Sequence, residues 1–145
     1  GQALVQLEAN VDDATGETLA HAIAECLVAG ANDAWITPMV MKKGRPAHTV
    51  SALCDPVTVG VVAAVLTAET GSLGVRAHSV ERWAVPRTMH VVEVDGHPVA
   101  VKVSAGRAKA EHDDAARVAR ATARPLREVV ALAEEAWRNG AGEPS

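Results

Sequence analysis

The chain turns between two predicted strands at Met41-Lys42-Lys43-Gly44-Arg45-Pro46. Residues 34–41 before it and 48–54 after it have strand character, and Pro38 favours an edge or bulged position for the first of these strands. Three cations and a glycine in six residues predict a hairpin turn. Three like charges at one turn favour a polyanion nearby. A solvated turn at a sheet edge is the alternative, because lysine and arginine are common there.

The elements on either side of this hairpin predict a ferredoxin-like domain. Residues 4–11 form a predicted strand, and a helix over 16–29 follows, with Thr15 as its N-cap. After the hairpin, the pattern predicts a helix over 57–70 and a long strand over 75–85. We expect the buried stripe of that second helix to be Val61, Val62, Val65 and Leu66. The order β-α-β-β-α-β is the split βαβ arrangement of ferredoxin-like folds, which by itself says nothing about function.

An appended piece begins after Pro86. Alternation over 89–94 and 98–103 predicts a hairpin around Asp95-Gly96. Two further helices are predicted, one over 111–124 and one that begins at Pro125. The predicted fold class is therefore α+β, a ferredoxin-like βαββαβ core followed by a hairpin and two helices. We expect three segments: a ferredoxin-like domain over 1–86, the appended subdomain over 87–138 and a disordered tail over 139–145.

Composition excludes several classes of protein. The 145 residues are 48% apolar and 22% charged, as is typical of a globular domain, and the net charge of −4 argues against a nucleic-acid-binding body. The chain has no Phe and no Tyr, which argues against base-stacking platforms. It has no apolar run long enough to span a membrane. Cys26 and Cys54 are expected to be buried thiols in a cytoplasmic protein. Because the chain starts at Gly1 rather than Met and its first residues already have strand character, we expect it to be a fragment of a longer protein.

Two polar groups, besides the basic turn, carry candidate chemistry. The first group surrounds the end of the first strand and consists of Glu8, Asn10, Asp12 and Asp13. Paired carboxylates at a strand end can hold a hard cation such as Mg²⁺. The alternative is that they only cap backbone N–H groups. Arg76, His78 and Arg82 share one strand face, with Arg87 and Lys102 further on. Two interpretations are open: these cations bind the phosphate of a ligand, or they form ion pairs that only stabilise the fold.

Together the acids and cations favour a Mg–triphosphate site. In it Asp12 and Asp13 would hold the metal, and Lys42, Lys43, Arg45, Arg76 and Arg82 would take phosphate oxygens. Strand alternation predicts that Lys42 and Lys43 point to opposite faces, which leaves open which one faces the ligand. The glycine patterns of P-loops, Rossmann folds and hydrolase elbows are missing from the sequence.

Several motifs, in order, resemble the C-terminal half of the LarC family of nickel insertion proteins. They run from Glu8 to Glu17 (E-x-N-[IV]-D-D-x-[TS]-x-E), through Ala29 to Pro46 (A-G-A-x-D and P-x-x-M-K-K-x-R-P), and through Thr70 to Arg76 (T-x-x-x-G-[VI]-R). Lys109-Ala110-Glu111-His112-Asp113-Asp114 resembles a K-P-E-Y-[ED]-D segment, although Ala110 and His112 replace its Pro and Tyr. The resemblance covers nearly the whole chain. The replacement of Tyr by His weakens aromatic stacking at that position.

The resemblance implies a CTP-dependent cyclometallase, classed as a lyase. Such a protein inserts nickel into pyridinium-3,5-bisthiocarboxylic acid mononucleotide and uses CTP with Mg²⁺ or Mn²⁺. The partners that the resemblance implies are this substrate, CTP and the N-terminal half of the same protein. We expect the protein to form a homo-oligomer and to bind neither nucleic acid nor membrane. No catalytic or nickel-contacting residue is assigned. The alternative is a ferredoxin-like nucleotide-sensing or oligomerisation module without chemistry of its own.

Overall fold

The structure is a computed structural model that describes residues 1–140 and the backbone of residues 143 and 144. The chain divides into two compact units, Gly1–Trp83 (unit 1) and Ala84–Ser145 (unit 2), each with its own hydrophobic core. This division falls three residues before the boundary expected after residue 86. Of the tail expected to be disordered, residues 141, 142 and 145 lie outside the described residues.

Unit 1 has the predicted ferredoxin-like topology. Its strands and helices are β1 (Gln2–Val11), α1 (Gly16–Val28), β2 (Asp33–Val40), β3 (Pro46–Cys54), α2 (Val59–Thr70) and β4 (Arg76–Arg82). The strand order is β2-β3-β1-β4, and each neighbouring pair is antiparallel. The α+β prediction is therefore confirmed. Pro38 lies on the edge strand β2, where a residue without an N–H costs no ladder hydrogen bond.

The first helix begins at the predicted residue and ends one residue before the predicted end, at Val28. The Thr15 hydroxyl oxygen accepts a hydrogen bond from the Thr18 backbone N–H at 3.2 Å, which caps the free N–H groups at the start of α1. Gly30, just beyond the end of α1, has a φ of +107°. Leu19 and Cys26 of α1 pack on the face of β1 that carries Leu7. Burial raises the pKa of the free thiols of Cys26 and Cys54.

Two details of unit 1 differ from the sequence-based prediction. Val62 and Leu66 of α2 are fully buried as expected, but Val61 is 58% exposed. The helix is apolar on nearly every side, so hydrophobic periodicity alone does not mark its buried face. The last strand is also shorter than the predicted 75–85, since β4 pairs with β1 only from Arg76 to Arg82.

Unit 2 pairs a second antiparallel sheet with two helices. Its elements are β5 (Thr88–Val94), β6 (His97–Ser104), β7 (Arg107–Ala110), α3 (His112–Thr122), α4 (Leu126–Arg138) and the short β8 (Glu143–Pro144). The predicted turn at Asp95-Gly96 is present, with both residues at positive φ. A second such turn at Ala105-Gly106 leads into β7, which the sequence did not predict. Within the described part of the chain, none of the helices combines the length and apolar composition needed to cross a membrane.

Candidate functional site

The candidate site lies on the face of the unit 1 sheet that is turned away from α1 and α2. Successive side chains of a strand alternate between the two faces. Leu7 and Ala9 of β1 enter the core, so Gln6, Glu8 and Asn10 lie on the opposite, open face. The register places Glu8 beside Ser51 of β3 on one side and Arg76 of β4 on the other. The open face is therefore polar along the middle of the sheet.

Glu8 forms the densest set of polar contacts on this face. Arg76 Nε donates to Glu8 Oε2 at 2.8 Å, and Gln6 Nε2 donates to Glu8 Oε1 at 2.7 Å. His78 Nε2 lies 3.6 Å from Glu8 Oε2. The hydrogen bond from Gln6, followed by the hydrogen bond and charge of Arg76, lowers the pKa of Glu8 against an opposing effect of burial. Glu8 thus holds the Arg76 guanidinium in place on the open face.

Asn10 joins the cluster to the neighbouring strands. Its Oδ1 accepts hydrogen bonds from Arg76 Nη2 and from the Thr49 hydroxyl, both at 3.1 Å. The Thr49 oxygen also lies 3.0 Å from Met39 Sδ. Among the described residues, none accepts a hydrogen bond from the Asn10 amide nitrogen. That nitrogen is consequently available to donate to a ligand on the open face.

Asp12 links the end of β1 to the basic hairpin. Arg45 Nη2 lies 3.0 Å from Asp12 Oδ2, and both side chains are partly exposed. Asp13 is exposed and forms neither a hydrogen bond nor an ion pair with any described residue. The pairing of Asp12 with Arg45 brings together an acid and a cation that lie 33 positions apart in the sequence.

The hairpin tip itself is not strand. Lys42–Gly44 forms a 3₁₀ turn in which the Gly44 N–H donates to the Met41 carbonyl at 3.1 Å, and Lys43 is left-handed with φ +64° and ψ +18°. The prediction that strand alternation sends Lys42 and Lys43 to opposite faces is therefore wrong in its premise. Both lysines are exposed, and neither forms an ion pair with the described part of the chain.

Arg82 is not brought together with the other candidate residues. Its Nη2 donates to Gln2 Oε1 at 2.8 Å, at the opposite end of the β1–β4 ladder from the Glu8–Arg76 pair. It lies six positions along β4 from Arg76, or about 20 Å at ~3.3 Å per residue. The end of β1, the basic hairpin and the start of β4 meet at one end of the sheet, and Arg82 lies at the other.

The positive charges of unit 1 are confined to this open face and its hairpin. The first 83 residues contain five Lys and Arg against nine Asp and Glu. The five cations lie on the hairpin or on β4, and none lies on α1 or α2; they are Lys42, Lys43, Arg45, Arg76 and Arg82. An acidic domain that gathers its cations in this way presents a local field suited to an anion.

The carboxylates present fit a divalent metal only in company with phosphate. No group of three or more His, Cys, Asp or Glu side chains in the described residues is arranged to hold a metal ion. Mg²⁺ is commonly bound by one or two carboxylates, water and substrate phosphates rather than by an all-protein cage. Asp12 and Asp13 are two carboxylates of this kind, and a metal held by them would need water and phosphate as its other ligands.

The sequence prediction missed two residues that support this arrangement. Gln6 holds one oxygen of Glu8, and Thr49 holds Asn10. Neither belongs to a motif or a charged cluster. Strand alternation does place Gln6 on the same face as Glu8, whereas Thr49 can be placed opposite Asn10 only when the register of β1 and β3 is known.

The fold and the open face define an α+β protein with a cation-lined sheet face. The family model described as nickel insertion protein matches residues 1–130, so the chain belongs to the nickel insertion protein family. A pyridinium-3,5-bisthiocarboxylic acid mononucleotide nickel insertion protein from Nocardioides is 42% identical over 132 residues, which cover 88% of this chain and 34% of that protein. The chain thus spans about a third of the length of the curated relatives it matches.

Solved structures place the chain within the family. The structure of LarC2, the C-terminal domain of a cyclometallase involved in the synthesis of the NPN cofactor of lactate racemase, matches with a TM-score of 0.80 and 32% identity over 92% of this chain and 96% of that one. A protein of Methanopyrus kandleri matches with a TM-score of 0.60 and 30% identity, over 94% of this chain and 87% of that one. The resemblance to the C-terminal part of the LarC family is therefore confirmed.

Proposed function

We propose that this chain is the nucleotide-binding C-terminal part of a CTP-dependent enzyme that inserts nickel into pyridinium-3,5-bisthiocarboxylic acid mononucleotide. The family supports the nickel insertion, and the name of the Nocardioides relative supports the substrate. The observation that carries the nucleotide role is the meeting of Asp12 with Arg45, 3.0 Å apart, beside a hairpin whose two lysines have no partner in the described structure.

Each group at this end of the sheet has a task suited to a metal–triphosphate. Lys42 and Lys43 are exposed point charges that can follow phosphate oxygens, and Arg45 presents a planar guanidinium. Asp13, which has no partner among the described residues, would hold the metal. Asp12 would hold the metal together with Asp13, and the Arg45 guanidinium would then be available to a phosphate oxygen. Asn10 supplies a neutral donor. Nickel enters as the ion to be inserted, and no residue of this chain is assigned to it.

Thermal unfolding with nucleotides tests the proposal. CTP with Mg²⁺ at a hundredfold excess over its Kd stabilises the folded chain by about 2.7 kcal/mol, which raises Tm by several degrees. ATP and GTP with Mg²⁺ are expected to give clearly smaller shifts. Equal shifts for the three nucleotides, or none, would overturn the CTP assignment. A non-catalytic oligomerisation module would show no shift in Tm with any of the three nucleotides.

Substitutions locate the site. Lys42→Gln and Lys43→Gln each remove one cation without altering the core, and at least one of them is expected to weaken CTP binding about tenfold. Asp12→Asn is expected to reduce the dependence of CTP binding on Mg²⁺. Arg127→Gln removes an exposed arginine of unit 2 that has no ion pair in the described structure, and it serves as the charge-matched control. Unchanged affinity in both lysine variants would place the triphosphate elsewhere.

A further inference from the structure

Unit 2 contains a cavity of about 680 Å³, and none of the residues of the proposed CTP site lines it. Val85, Lys102, Ser104, Arg107, Lys109 and Glu134 line it. Its volume lies within the range of pockets that hold small molecules. Lys109 belongs to the segment Lys109 to Asp114 that resembles the family pattern, and no role for that segment arises in unit 1.

The strand register gathers three cations at this cavity. Lys102 of β6 pairs directly with Lys109 of β7, and Ser104 pairs with Arg107. Residues directly opposite on neighbouring strands place their side chains on the same face, and like charges in that position destabilise a sheet. The repulsion between Lys102 and Lys109 opposes the stability of the free protein to the extent that no carboxylate offsets it, and a bound anion would relieve it.

Two of these three cations have no ion-pair partner among the described residues and are therefore available to a ligand. Lys102 Nζ lies 2.9 Å from Glu111 Oε1, which balances one charge. Arg107 and Lys109 form no ion pair with any described residue. Glu134 is the one carboxylate among the lining residues, and its Oε1 accepts a hydrogen bond from the Ala110 N–H at 3.3 Å. Its second oxygen has no hydrogen-bond donor in the described part of the chain.

We infer that this cavity binds a pyridinium mononucleotide, with its phosphate on Arg107 and Lys109 and its pyridinium ring beside Glu134. The inference rests on the proposed function for the choice of substrate class. A dianionic phosphate monoester needs free cations, and a guanidinium beside an ammonium supplies them. A pyridinium ring is cationic, so a carboxylate stabilises it, and Val85 and Ala108 offer apolar surface to its edge.

Binding of nicotinate mononucleotide to the full 145-residue chain tests this inference. The probe carries a pyridinium ring, a carboxylate and a phosphate. We expect it to bind at least tenfold more tightly than its riboside, which lacks the phosphate, and more tightly than uridine monophosphate, which lacks the pyridinium. In Arg107→Gln/Lys109→Gln the affinity for the mononucleotide falls at least tenfold. Glu134→Gln weakens the mononucleotide but not uridine monophosphate.

Stability in the absence of ligand separates a binding role from a structural one. Because Lys109 faces Lys102, Lys109→Gln is expected to raise Tm of the free chain while it weakens the mononucleotide. The matched control is Arg120→Gln/Arg127→Gln, two exposed arginines of α3 and α4 that do not line the cavity, and it retains full affinity. Unchanged affinity in Arg107→Gln/Lys109→Gln, equal loss in the control, or no binding of nicotinate mononucleotide to the unaltered chain would overturn the inference.

Parallel titrations with CTP and Mg²⁺ keep the two proposals apart. The cavity variants are expected to bind CTP normally. If CTP fails to bind the unaltered chain while the mononucleotide responds to the cavity variants as stated, the CTP assignment fails and the cavity site stands. If CTP binds but the mononucleotide ignores the cavity variants, the cavity inference fails alone.

Discussion

Glu8 shows how one residue organises the open face of unit 1. Only 17% of its side chain is exposed, and each of its oxygens accepts a hydrogen bond, one from Gln6 and the other from Arg76. Glu8 therefore positions the Arg76 guanidinium on the open face.

Glu8→Gln is expected to lower the free energy of unfolding at neutral pH by about 1 kcal/mol, because the ion pair with Arg76 is replaced by a hydrogen bond from the guanidinium to a neutral amide. The pKa of Glu8 is lower in the folded chain than in the unfolded chain. Its stabilising effect is therefore present above the unfolded pKa of about 4.3 and is lost as the pH falls through the folded pKa. The difference between the two proteins should shrink over that acidic range, as measured by urea unfolding at a series of pH values.

Glu81→Gln is the control for this substitution. Glu81 lies exposed on β4 and forms no ion pair with the described residues. Its replacement is expected to change the free energy of unfolding at neutral pH by less than about 0.5 kcal/mol. A Glu8→Gln deficit that stays constant down to the acid limit would show that the lost packing, and not the charge, causes it.

The basic hairpin is the element in which local strain and the proposed function meet. Lys43 is left-handed, and such a conformation costs a residue with a Cβ roughly 1–2 kcal/mol. Its neighbour Gly44 also has a positive φ, which glycine adopts without that cost. A lysine at this position is explained if its charge is needed at the tip of the turn.

Lys43→Gly is expected to stabilise the free chain by up to about 1 kcal/mol, because relief of the left-handed strain exceeds the added entropy of the unfolded chain. The same change should weaken binding of CTP with Mg²⁺. Chemical denaturation and isothermal titration measure the two effects. Lys42→Gly is the matched control, since Lys42 is not left-handed and glycine there relieves no strain. Equal stability changes in the two variants would argue against strain at residue 43.

At the level of elements, the sequence predicted what local signals encode. The Thr15 cap and the helical spacing after it gave α1, and Asp95-Gly96 gave the turn between β5 and β6. The turn before β7 escaped prediction because it places Ala105 at φ +49°, where alanine is rarely found, and because the strand has only four residues. The candidate site, too, was predictable only as far as local signals allow. Residue types identified Asp12, Arg45 and Arg76, but only the strand register showed that Arg82 lies apart from them.

At the scale of the whole molecule, each unit contains its own hydrophobic core. Leu66 of α2 is fully buried in unit 1, and Val129 of α4 is fully buried in unit 2. Truncation of a core side chain leaves a cavity that the surrounding residues fill only partly. The destabilisation therefore falls mainly on the unit whose core contains that side chain. The two cores therefore give two separate places at which the chain can be weakened.

Leu66→Ala is expected to destabilise unit 1 by about 2–5 kcal/mol. Native-state hydrogen exchange should then show reduced protection for the amides of β1 and β3, with the amides of β5 and β6 unchanged. Val129→Ala is the reciprocal variant and should have the opposite pattern. If either substitution lowers protection equally across both sheets, the chain unfolds as one cooperative body. CTP with Mg²⁺ should restore protection in Leu66→Ala but not in Val129→Ala, because the proposed triphosphate site is built entirely from unit 1.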